Sequence, residues 1–427
     1  MLSRRRFLGT GAAAVVGVPL VRSYAAGEER DKVRVAVIGV AGQGAYNLGQ
    51  VAGESIVALC DVDESRAVAA RKQFPKAAFF TDYRKLLDAV GKDLDAVVVA
   101  TPDHTHAHAG LTMMRAGKHL YCEKPLAKSV GEARLMVKEA ADRKLVTQMG
   151  TQIHAGDNYR RAVEIVKSGV LGDMKHVHVW CSRRPDGMTK VPAPTPGLKF
   201  DLSQWLGPVP EEFFYASAKN WPHFDWRWWW AFGGGVLGDM GCHFMDLAFW
   251  ALDLGAPTAV KASGTPLPNS ENTVPGTMRV DYEFPVAGKS LPLTWYHGVT
   301  GPDLSGQRTF PGFNDGVLFE GSKGSLVADY GKLKLLPDEF AKDFKAPSPT
   351  LSKSVGHHAE WLGAIRGVGK PLCPFGYSGV LTEAVLLGNV AYRTGTPLVW
   401  DSVKGEVVNS KAAAKFVTPD VRGGWEM

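Results

Sequence analysis

Cysteine is scarce in this chain of 427 residues, which contains only five. They are Cys60, Cys122, Cys181, Cys242 and Cys373, and no two of them form a Cys-x-x-Cys pair. Structural zinc sites usually need such closely spaced pairs, and an odd number of cysteines leaves at least one thiol outside any disulfide. The sequence therefore predicts neither a disulfide framework nor a cysteine zinc centre.

The formal net charge of the chain is small as well. The first 25 residues contain four arginines and no acid, so the formal net charge of +6 falls to +2 for the remainder of the chain. Nucleic-acid-binding domains concentrate many basic side chains on one surface. The charge therefore argues against nucleic acid as the main partner.

Long apolar runs are also missing. The stretch Gly11–Val21 is shorter than the ~20 apolar residues that span a membrane. It follows Ser3–Leu8 (SRRRFL), which resembles a twin-arginine export signal, and it precedes small residues that suit cleavage after Ala25. We therefore expect residues 1–25 to be a signal peptide for the twin-arginine machinery, with a periplasmic or otherwise exported product and no stable membrane insertion after processing. An uncleaved membrane anchor is the alternative.

A glycine-rich turn follows the first strand-like run. Val33–Ile38 is continuously apolar, as a buried parallel strand is, and the chain then reads GVAGQG. Gly39 permits a tight turn and Gly44 permits close helix packing, while amides at the helix start can bind a pyrophosphate. Ala41 stands where the dinucleotide fingerprint has its second glycine, and Gly42 beside it relaxes the turn. The pattern predicts a dinucleotide site.

An acid after the second strand supports this interpretation. Asp61 follows the run Ser55–Cys60 and lies 22 residues after Gly39, close to the spacing of about 20 for an acid that binds ribose hydroxyls. A carboxylate there repels a 2′-phosphate, so NAD is favoured over NADP. Arg66 lies near enough in sequence to leave NADP open.

Strand-like and helix-like segments continue to alternate. Asp95–Ala100 leads into the turn Thr101–His106, and His119–Cys122 leads into Glu123–Pro125. Serial βα units predict an α/β fold with a doubly wound parallel sheet, whose ligands bind beyond the carboxyl ends of the strands. Both turns are expected at those ends.

The glycine turn, ATPDHTH at Ala100–His106 and EKP at Glu123–Pro125 together resemble the glucose-fructose oxidoreductase and inositol dehydrogenase family, often called Gfo/Idh/MocA. The resemblance implies a Rossmann-type NAD-binding domain over residues 32–151. It also implies a substrate-binding α+β domain with an open, mostly antiparallel sheet over residues 152–401, and a C-terminal tail over residues 402–427. One face of that sheet often forms a subunit interface in the family, so a homo-oligomer is expected.

The resemblance assigns a central role to one lysine. In the family the EKP lysine reaches both cofactor and substrate, and here that residue is Lys124. The cofactor-binding positions expected from the fingerprint, the acid and the two later turns are Gly39, Ala41, Gly42, Gly44, Asp61, Thr101, Pro102, His104, Glu123 and Lys124.

A second motif, GGGVLGDMGCHFMD from Gly233 to Asp246, matches the family's catalytic pattern of a glycine run, Asp, Gly, His and a second Asp. If a helix starts at Asp239, then Asp239, His243 and Asp246 share one helix face. Asp239 would lie in the first turn, where the helix dipole favours its ionised form. The alternative for this pair is purely structural, with Asp239 as a helix cap and His243 as a packed, partly buried histidine.

Oxidation of a secondary alcohol removes a hydroxyl proton while a hydride leaves carbon. A histidine with an ordinary pKa of about 6.5 suits the proton transfer. We therefore hypothesise that His243 is the base, that Asp239 orients it or relays its proton, and that Lys124 stabilises alkoxide charge. His104, His106 and His108 alternate without a matched ligand spacing, so no metal is predicted.

Aromatic side chains crowd together upstream of the glycine run. They are Trp221, Phe224, Trp226, Trp228, Trp229, Trp230 and Phe232, with Arg227 among them. Some must belong to the core, but indoles also offer apolar faces and N–H donors to sugars. Trp226, Arg227 and Trp230, together with Asp246, are the expected substrate-binding residues.

These features predict an exported oxidoreductase that acts on a sugar or polyol with tightly bound NAD, loaded during folding in the cytoplasm. Retained cofactor has to be reset in every cycle, so a redox-neutral glycoside hydrolase or epimerase acting through a keto-sugar is an alternative. A carbohydrate-binding protein without catalysis is a third interpretation.

Overall fold

The apolar runs of the N-terminal half form a six-stranded parallel sheet. The computed structural model describes residues 32–185, 191–192, 199–216, 221–267, 272–302 and 310–427, so the predicted signal peptide lies outside the described residues. The strands are β1 (Arg34–Ile38), β2 (Ser55–Cys60), β3 (Ala78–Phe80), β4 (Ala96–Val99), β5 (His119–Glu123) and β6 (Thr147–Gly150). Their order is β3-β2-β1-β4-β5-β6, and every pair is parallel. This order is that of a Rossmann fold, and it confirms the predicted doubly wound parallel sheet.

Both faces of this sheet are buried. Ala36 and Ile38 of β1 belong to one hydrophobic core, while Val35 and Val37 belong to another. Strands buried on both faces need apolar side chains at every position, which explains the continuous run that the sequence shows. The helices of this half are α1 (Gln43–Gln50), α2 (Val68–Gln73), α3 (Tyr83–Val90), α4 (Asp103–Arg115) and α5 (Val130–Asp142).

The C-terminal half contains a nine-stranded sheet. Its strands are β7 (Met174–Cys181), β10 (Ala259–Thr265), β11 (Thr277–Val286), β12 (Lys289–His297), β13 (Gly316–Gly321), β14 (Ser325–Ala328), β15 (Leu333–Leu336), β16 (Leu398–Asp401) and β17 (Glu406–Val407), and a separate small pair joins β8 (Val191–Pro192) to β9 (Tyr215–Ala216). The order is β15-β14-β13-β7-β12-β11-β10-β16-β17. All pairs except β7 with β12 are antiparallel, as predicted.

Seven helices of this half are described: α6 (Asp157–Lys167), α7 (Leu202–Leu206), α8 (Gly235–Leu252), α9 (Asp338–Lys342), α10 (His357–Ile365), α11 (Phe375–Thr394) and α12 (Ala414–Val417). Most of α8 is buried, and it packs between α6 and α11. No described helix is long and apolar enough to cross a bilayer.

Helix α8 begins four residues before the predicted start. Its first residue, Gly235, has φ +66°, and a Cβ there would lie 2.8 Å from the Val274 Cβ. A Cβ at Gly233 would lie 2.7 Å from the Arg227 Cα. The glycine run therefore allows the chain to enter the helix in close contact with its neighbours. Asp239 consequently lies in the second turn, so the prediction of a first-turn position was wrong.

Residues 402–427, predicted as a tail, pack on the rest of the molecule. The Arg422 backbone N–H donates to the Pro208 carbonyl at 2.8 Å, and its Nη2 donates to the Ser203 carbonyl at 2.9 Å. The His108 ring contacts the Trp425 carbonyl at 2.9 Å through Nε2. The last residues therefore join the two halves of the fold.

Candidate active site

The carboxyl ends of β1, β2, β4 and β5 open into a cleft of about 760 Å³. The C-terminal half closes its other side, with residues from the loops before α7 and α8 and from α8 itself. The predicted site residues that line it are Gly39, Ala41, Gly42, Asp61, Thr101, Pro102, Glu123, Lys124, Trp226, Arg227, Asp239 and His243. The tertiary structure thus brings residues up to about 200 positions apart to one place.

The glycine turn fits a dinucleotide pyrophosphate. Gly39 has φ +81°, and a Cβ there would lie 2.6 Å from the Ala100 carbonyl oxygen. A Cβ at Gly44 would lie 1.8 Å from the Gly39 carbonyl oxygen, which confirms its packing role and explains why it does not line the cleft. The backbone N–H groups of Ala41, Gly42 and Gln43 find no acceptor among the described residues. Backbone amides without an acceptor at the start of a helix can donate hydrogen bonds to phosphate oxygens.

Asp61 stands at the ribose end of the cleft. Its Oδ2 accepts a hydrogen bond from the Val40 backbone N–H at 3.0 Å, and its Oδ1 accepts one from the Asp63 N–H at 3.0 Å. Burial raises the pKa of Asp61, and these two amides oppose the shift. The carboxylate therefore holds the turn after β1 and lines the cleft, where an acid at this spacing is suited to bind ribose hydroxyls.

Glu123 is anchored by three amide side chains that sequence reasoning missed. Its Oε1 accepts from Gln43 Nε2 at 3.1 Å, Asn47 Nδ2 at 2.9 Å and Gln152 Nε2 at 2.8 Å. A Cβ at Gly150 on the neighbouring strand would lie 2.6 Å from the Glu123 carboxyl carbon. This packing fixes the end of β5, so that the next residue, Lys124, projects into the cleft.

Lys124 is joined to Asp239 across the two halves of the molecule. Its Nζ donates to Asp239 Oδ1 at 2.6 Å and to the Asp239 carbonyl at 3.0 Å. Asp239 Oδ2 accepts from Arg183, and Oδ1 also accepts from Arg227 Nε at 3.3 Å. Burial raises the pKa of Asp239, but the charges of Lys124, Arg227 and Arg183 outweigh it and hold that pKa well below its usual range. Three cations, and not the helix dipole, keep this carboxylate ionised.

His243 lies one helical turn beyond Asp239 on the cleft wall. No hydrogen bond joins the two side chains, and the buried Nδ1 of His243 has no partner among the described residues. The Asp239 oxygens are already used by Lys124 and the two arginines, so the predicted role of Asp239 as orienter of His243 is corrected to positioning of Lys124. Burial lowers the pKa of His243 to about 3, with the Lys124 charge acting in the same direction. The imidazole is therefore neutral at neutral pH, but the expectation of an ordinary pKa of about 6.5 was wrong, and a ring with so low a pKa is a weak base.

Asp246, predicted to bind substrate, does not reach the cleft. It is 0% exposed, its two carboxylate oxygens each lie 3.0 Å from His154 Nδ1, and the Tyr377 hydroxyl donates to it at 2.7 Å. Seven residues of helix separate it from Asp239, which is about 10 Å along the axis. Sharing a helix face was therefore not enough to share the site.

Two other predicted residues also lie away from the cleft. His104 is 1% exposed and contacts the Trp205 carbonyl at 2.7 Å through Nε2. Its neighbour His106 lines the cleft instead, with ring nitrogens 2.7 Å and 2.8 Å from the carbonyls of Thr101 and Pro125. Trp230 packs under Arg393, whose guanidinium carbon lies 5.2 Å from a ring centroid of the indole.

The aromatic cluster divides between core and cleft. Trp221, Phe224 and Trp226 line the cleft, whereas Trp228 and Phe232 are buried in the core. The Arg227 guanidinium lies 4.3 Å from the Trp226 ring centroid and 4.5 Å from that of Phe224. This part of the wall offers aromatic faces beside a cation, and substrate binding by Trp226 and Arg227 stays a prediction.

Arg183 and Asp103 were missed as cleft residues. Arg183 lies two residues after the end of β7, and Asp103 lies inside the ATPDHTH motif, in which Thr101, Pro102 and His104 were predicted as site residues. Its position just beyond the end of a predicted strand is the sequence feature that could have identified Arg183 as a cleft residue. For Asp103 the signal was its place in a turn already assigned to the carboxyl ends of the sheet.

Comparison with known proteins agrees with this geometry. The family model described as oxidoreductase family, NAD-binding Rossmann fold, matches residues 33–151, and the GFO/IDH/MocA C-terminal domain matches residues 210–326. Inositol 2-dehydrogenase 1 of Saccharopolyspora erythraea is 35% identical over 152 residues, which is 34% of this chain and 44% of that protein. Levoglucosan dehydrogenase of Pseudarthrobacter phenanthrenivorans is 25% identical over 308 residues, 67% of each chain.

Among solved structures, the WlbA dehydrogenase from Bordetella pertussis, in complex with NADH and UDP-GlcNAcA, has the same fold, with a TM-score of 0.62 at 17% identity over 87% of this chain and 99% of that one. The match to the inositol dehydrogenase covers less than half of that relative's length, so the family and the fold are what these likenesses establish. The chain belongs to the Gfo/Idh/MocA oxidoreductase family and carries an NAD-binding Rossmann domain.

Proposed function

We propose that this protein is an NAD-dependent oxidoreductase that oxidises or reduces a secondary hydroxyl of a sugar or polyol. The observation that carries the proposal is the 2.6 Å contact between Lys124 Nζ and Asp239, in the cleft that also contains His243 and the glycine turn. The names of the relatives, an inositol and a levoglucosan dehydrogenase, support a polyhydroxylated substrate.

Three side chains divide the work in this proposal. NAD, when bound, supplies the acceptor for the hydride. His243 takes the hydroxyl proton as a neutral ring; because its pKa of about 3 makes it a weak base, the transfer depends on Lys124 to stabilise the alkoxide that forms. The Lys124 ammonium donates to the oxygen on which negative charge develops. Asp239 is a positioning residue that aims Lys124 through two hydrogen bonds.

The proposed location is outside the cytoplasm, reached through the twin-arginine pathway with NAD already bound. The SRRRFL segment supports the export step, and a segment that covers part of the cleft, with Phe200, Gln204 and Trp205 in the cleft lining, supports retention. That segment is the strap, residues 199–206. Phe200 pairs with Asp63 as an isolated β-bridge, and the Asp201 N–H donates to the Val62 carbonyl at 2.8 Å.

The end of the chain holds the strap in place. Arg422 Nη2 donates to the Ser203 carbonyl at 2.9 Å, and the Trp425 ring packs beside Gly207, where an added Cβ would lie 3.7 Å from it. The Arg84 guanidinium carbon lies over the Trp425 ring, 4.9 Å from its centroid. Release of bound NAD would require these contacts to loosen.

Trp425→Ala is therefore expected to accelerate the loss of bound NAD by about 10-fold, the effect of roughly 1.4 kcal/mol, because the strap loses its support. The dinucleotide content of the purified protein is measured over time after transfer to NAD-free buffer. Val403→Ala, at a highly exposed position in the same C-terminal segment, is the control. Equal rates of NAD loss in all three proteins would contradict the retention argument.

The central experiment has two parts. One sample of the purified protein is denatured and the dinucleotide it releases is identified. In a second, native sample, the absorbance of reduced nicotinamide is followed as myo-inositol, levoglucosan and glucose are added. The proposal predicts bound NAD that at least one of these polyols reduces. Glycoside cleavage or epimerisation with no net oxidation would instead support the alternative function, a redox-neutral hydrolase or epimerase. Protein that binds no dinucleotide and changes no polyol would refute it.

A further inference from the structure

One carboxylate of the cleft is shared by three cations. Lys124 Nζ and Arg227 Nε lie 2.6 Å and 3.3 Å from Asp239 Oδ1. Arg183 Nη1 contacts the other oxygen, Oδ2. Asp103 also lines the cleft, and counting it as charged still leaves three cations against two acids. The cleft around Asp239 therefore has a surplus of positive charge.

The remaining acids of the cleft lie at the cofactor end and have donors of their own. Asp61 accepts two backbone N–H groups, and Asp63 Oδ2 lies 3.3 Å from His223 Nε2. Glu123 accepts from three amide side chains, two of them on α1. Arg66 adds a cation beside the glycine turn. These acids therefore do not balance the three cations that share one carboxylate.

Arg183 is the cation of this group that is most open to a ligand. Its side chain is 44% exposed, against 12% for Lys124 and 19% for Arg227. Among the described residues, Asp239 is the only hydrogen-bond acceptor of the Arg183 side chain, which leaves most of its five N–H groups unused. Arg227, by contrast, also donates to the Phe224 carbonyl at 3.3 Å and packs against two aromatic rings. Since Arg183 lines the cleft, its unused donors are available to a bound molecule there.

We infer that Arg183 binds a carboxylate of the substrate, so that the sugar oxidised is a sugar acid. The inference rests on the proposed function, because it takes the cleft around Lys124 as the place where the sugar reacts. A guanidinium can donate two parallel hydrogen bonds to a carboxylate, and this geometry is specific for planar anions. A neutral hydroxyl could accept from Arg183 as well, but it would leave the surplus charge unbalanced.

The test compares sugars that differ only in the group at their terminal carbon. Glucuronate is compared with glucose and with glucuronamide, which has the shape of the acid without its charge, and galacturonate is compared with galactose. The second-order rate constant for reduction of the bound NAD is measured for each. In the wild-type protein, at least one uronate should react roughly 10- to 100-fold faster than its neutral partners, the range for hydrogen bonds to a charged group. Its advantage should shrink as ionic strength is raised, because salt screens the attraction.

Arg183→Gln should bring the ratio of the uronate rate to the neutral-sugar rate close to unity. The ratio is used because loss of the contact with Asp239 affects both sugars alike and cancels. Arg143→Gln, at the end of α5, changes an arginine of similar exposure that also contacts an acid, and it should leave the ratio as in wild type. The comparison of acid with amide and its salt dependence need no variant, so they remain decisive if Arg183→Gln does not fold.

Equal rates for uronates and neutral sugars would overturn the inference and leave the proposed function standing. An advantage that glucuronamide shares with glucuronate would also overturn it, because the charge would then play no part. So would a wild-type ratio in Arg183→Gln. A protein that contains NAD but reduces it with no sugar, polyol or uronate contradicts the proposed function itself, and with it this inference.

Discussion

Lys124→Met is expected to lower kcat for polyol oxidation by about 10²- to 10³-fold while bound NAD remains in place. Methionine keeps an apolar stem of similar length but removes the ammonium group that donates to the developing alkoxide. Asp239 keeps its contacts with Arg183 and Arg227, so its charge is not left alone in the interior. The measurement is the single-turnover rate of NAD reduction, with the dinucleotide content determined in parallel.

Lys138→Met is the matched control, because Lys138 is an exposed lysine that pairs with Asp142 on the opposite end of the same half. It should retain wild-type kcat and wild-type NAD content. A Lys124→Met protein with a rate within threefold of wild type would remove Lys124 from the reaction. Loss of NAD from Lys124→Met at unchanged kcat would instead assign the lysine to cofactor binding alone.

His243→Ala is expected to lower kcat by about 10²- to 10⁴-fold, the usual contribution of a positioned general base. The imidazole is neutral because burial and the nearby ammonium of Lys124 lower its pKa to about 3, so the base form is present throughout the neutral range. The same single-turnover assay applies, and NAD content should not change, because the residue lies on α8 and not on the glycine turn.

Imidazole added to the His243→Ala protein should restore part of the rate, since the space left in the cleft wall can admit a small external base. His176→Ala on β7, outside the cleft, is the control and should keep wild-type kcat. Full activity of His243→Ala without added imidazole would show that another group accepts the proton. A variant that loses NAD and rate together would indicate a structural role.

Prediction of the fold from the sequence succeeded where the residue types of a segment directly reflect its burial or its close backbone contacts. The run VRVAVI is apolar at every position because β1 is buried on both faces, and the glycines that follow are required by contacts that leave no room for a Cβ. β3 was not predicted, because a strand of three residues, Ala78–Phe80, has too little periodicity to detect. The start of α8 was misplaced because the glycines before Asp239 indicate a turn, whereas two of them, Gly235 and Gly238, lie inside the helix.

The type of site could be predicted from the sequence alone. The glycine turn, Asp61 and the EKP lysine each follow a strand of the parallel sheet, and Asp239 and His243 lie one helical turn apart, so their positions in the sequence already indicated where they would lie. Only the tertiary structure decided which other side chains join them. It placed Arg183, Asp103 and the strap around the cleft and withdrew His104, Trp230 and Asp246 from it. Hydrophobic periodicity in the sequence indicates which face of a helix or strand a residue occupies. Whether that face meets solvent, a ligand or the core depends on which other helix or strand packs against it in the tertiary structure.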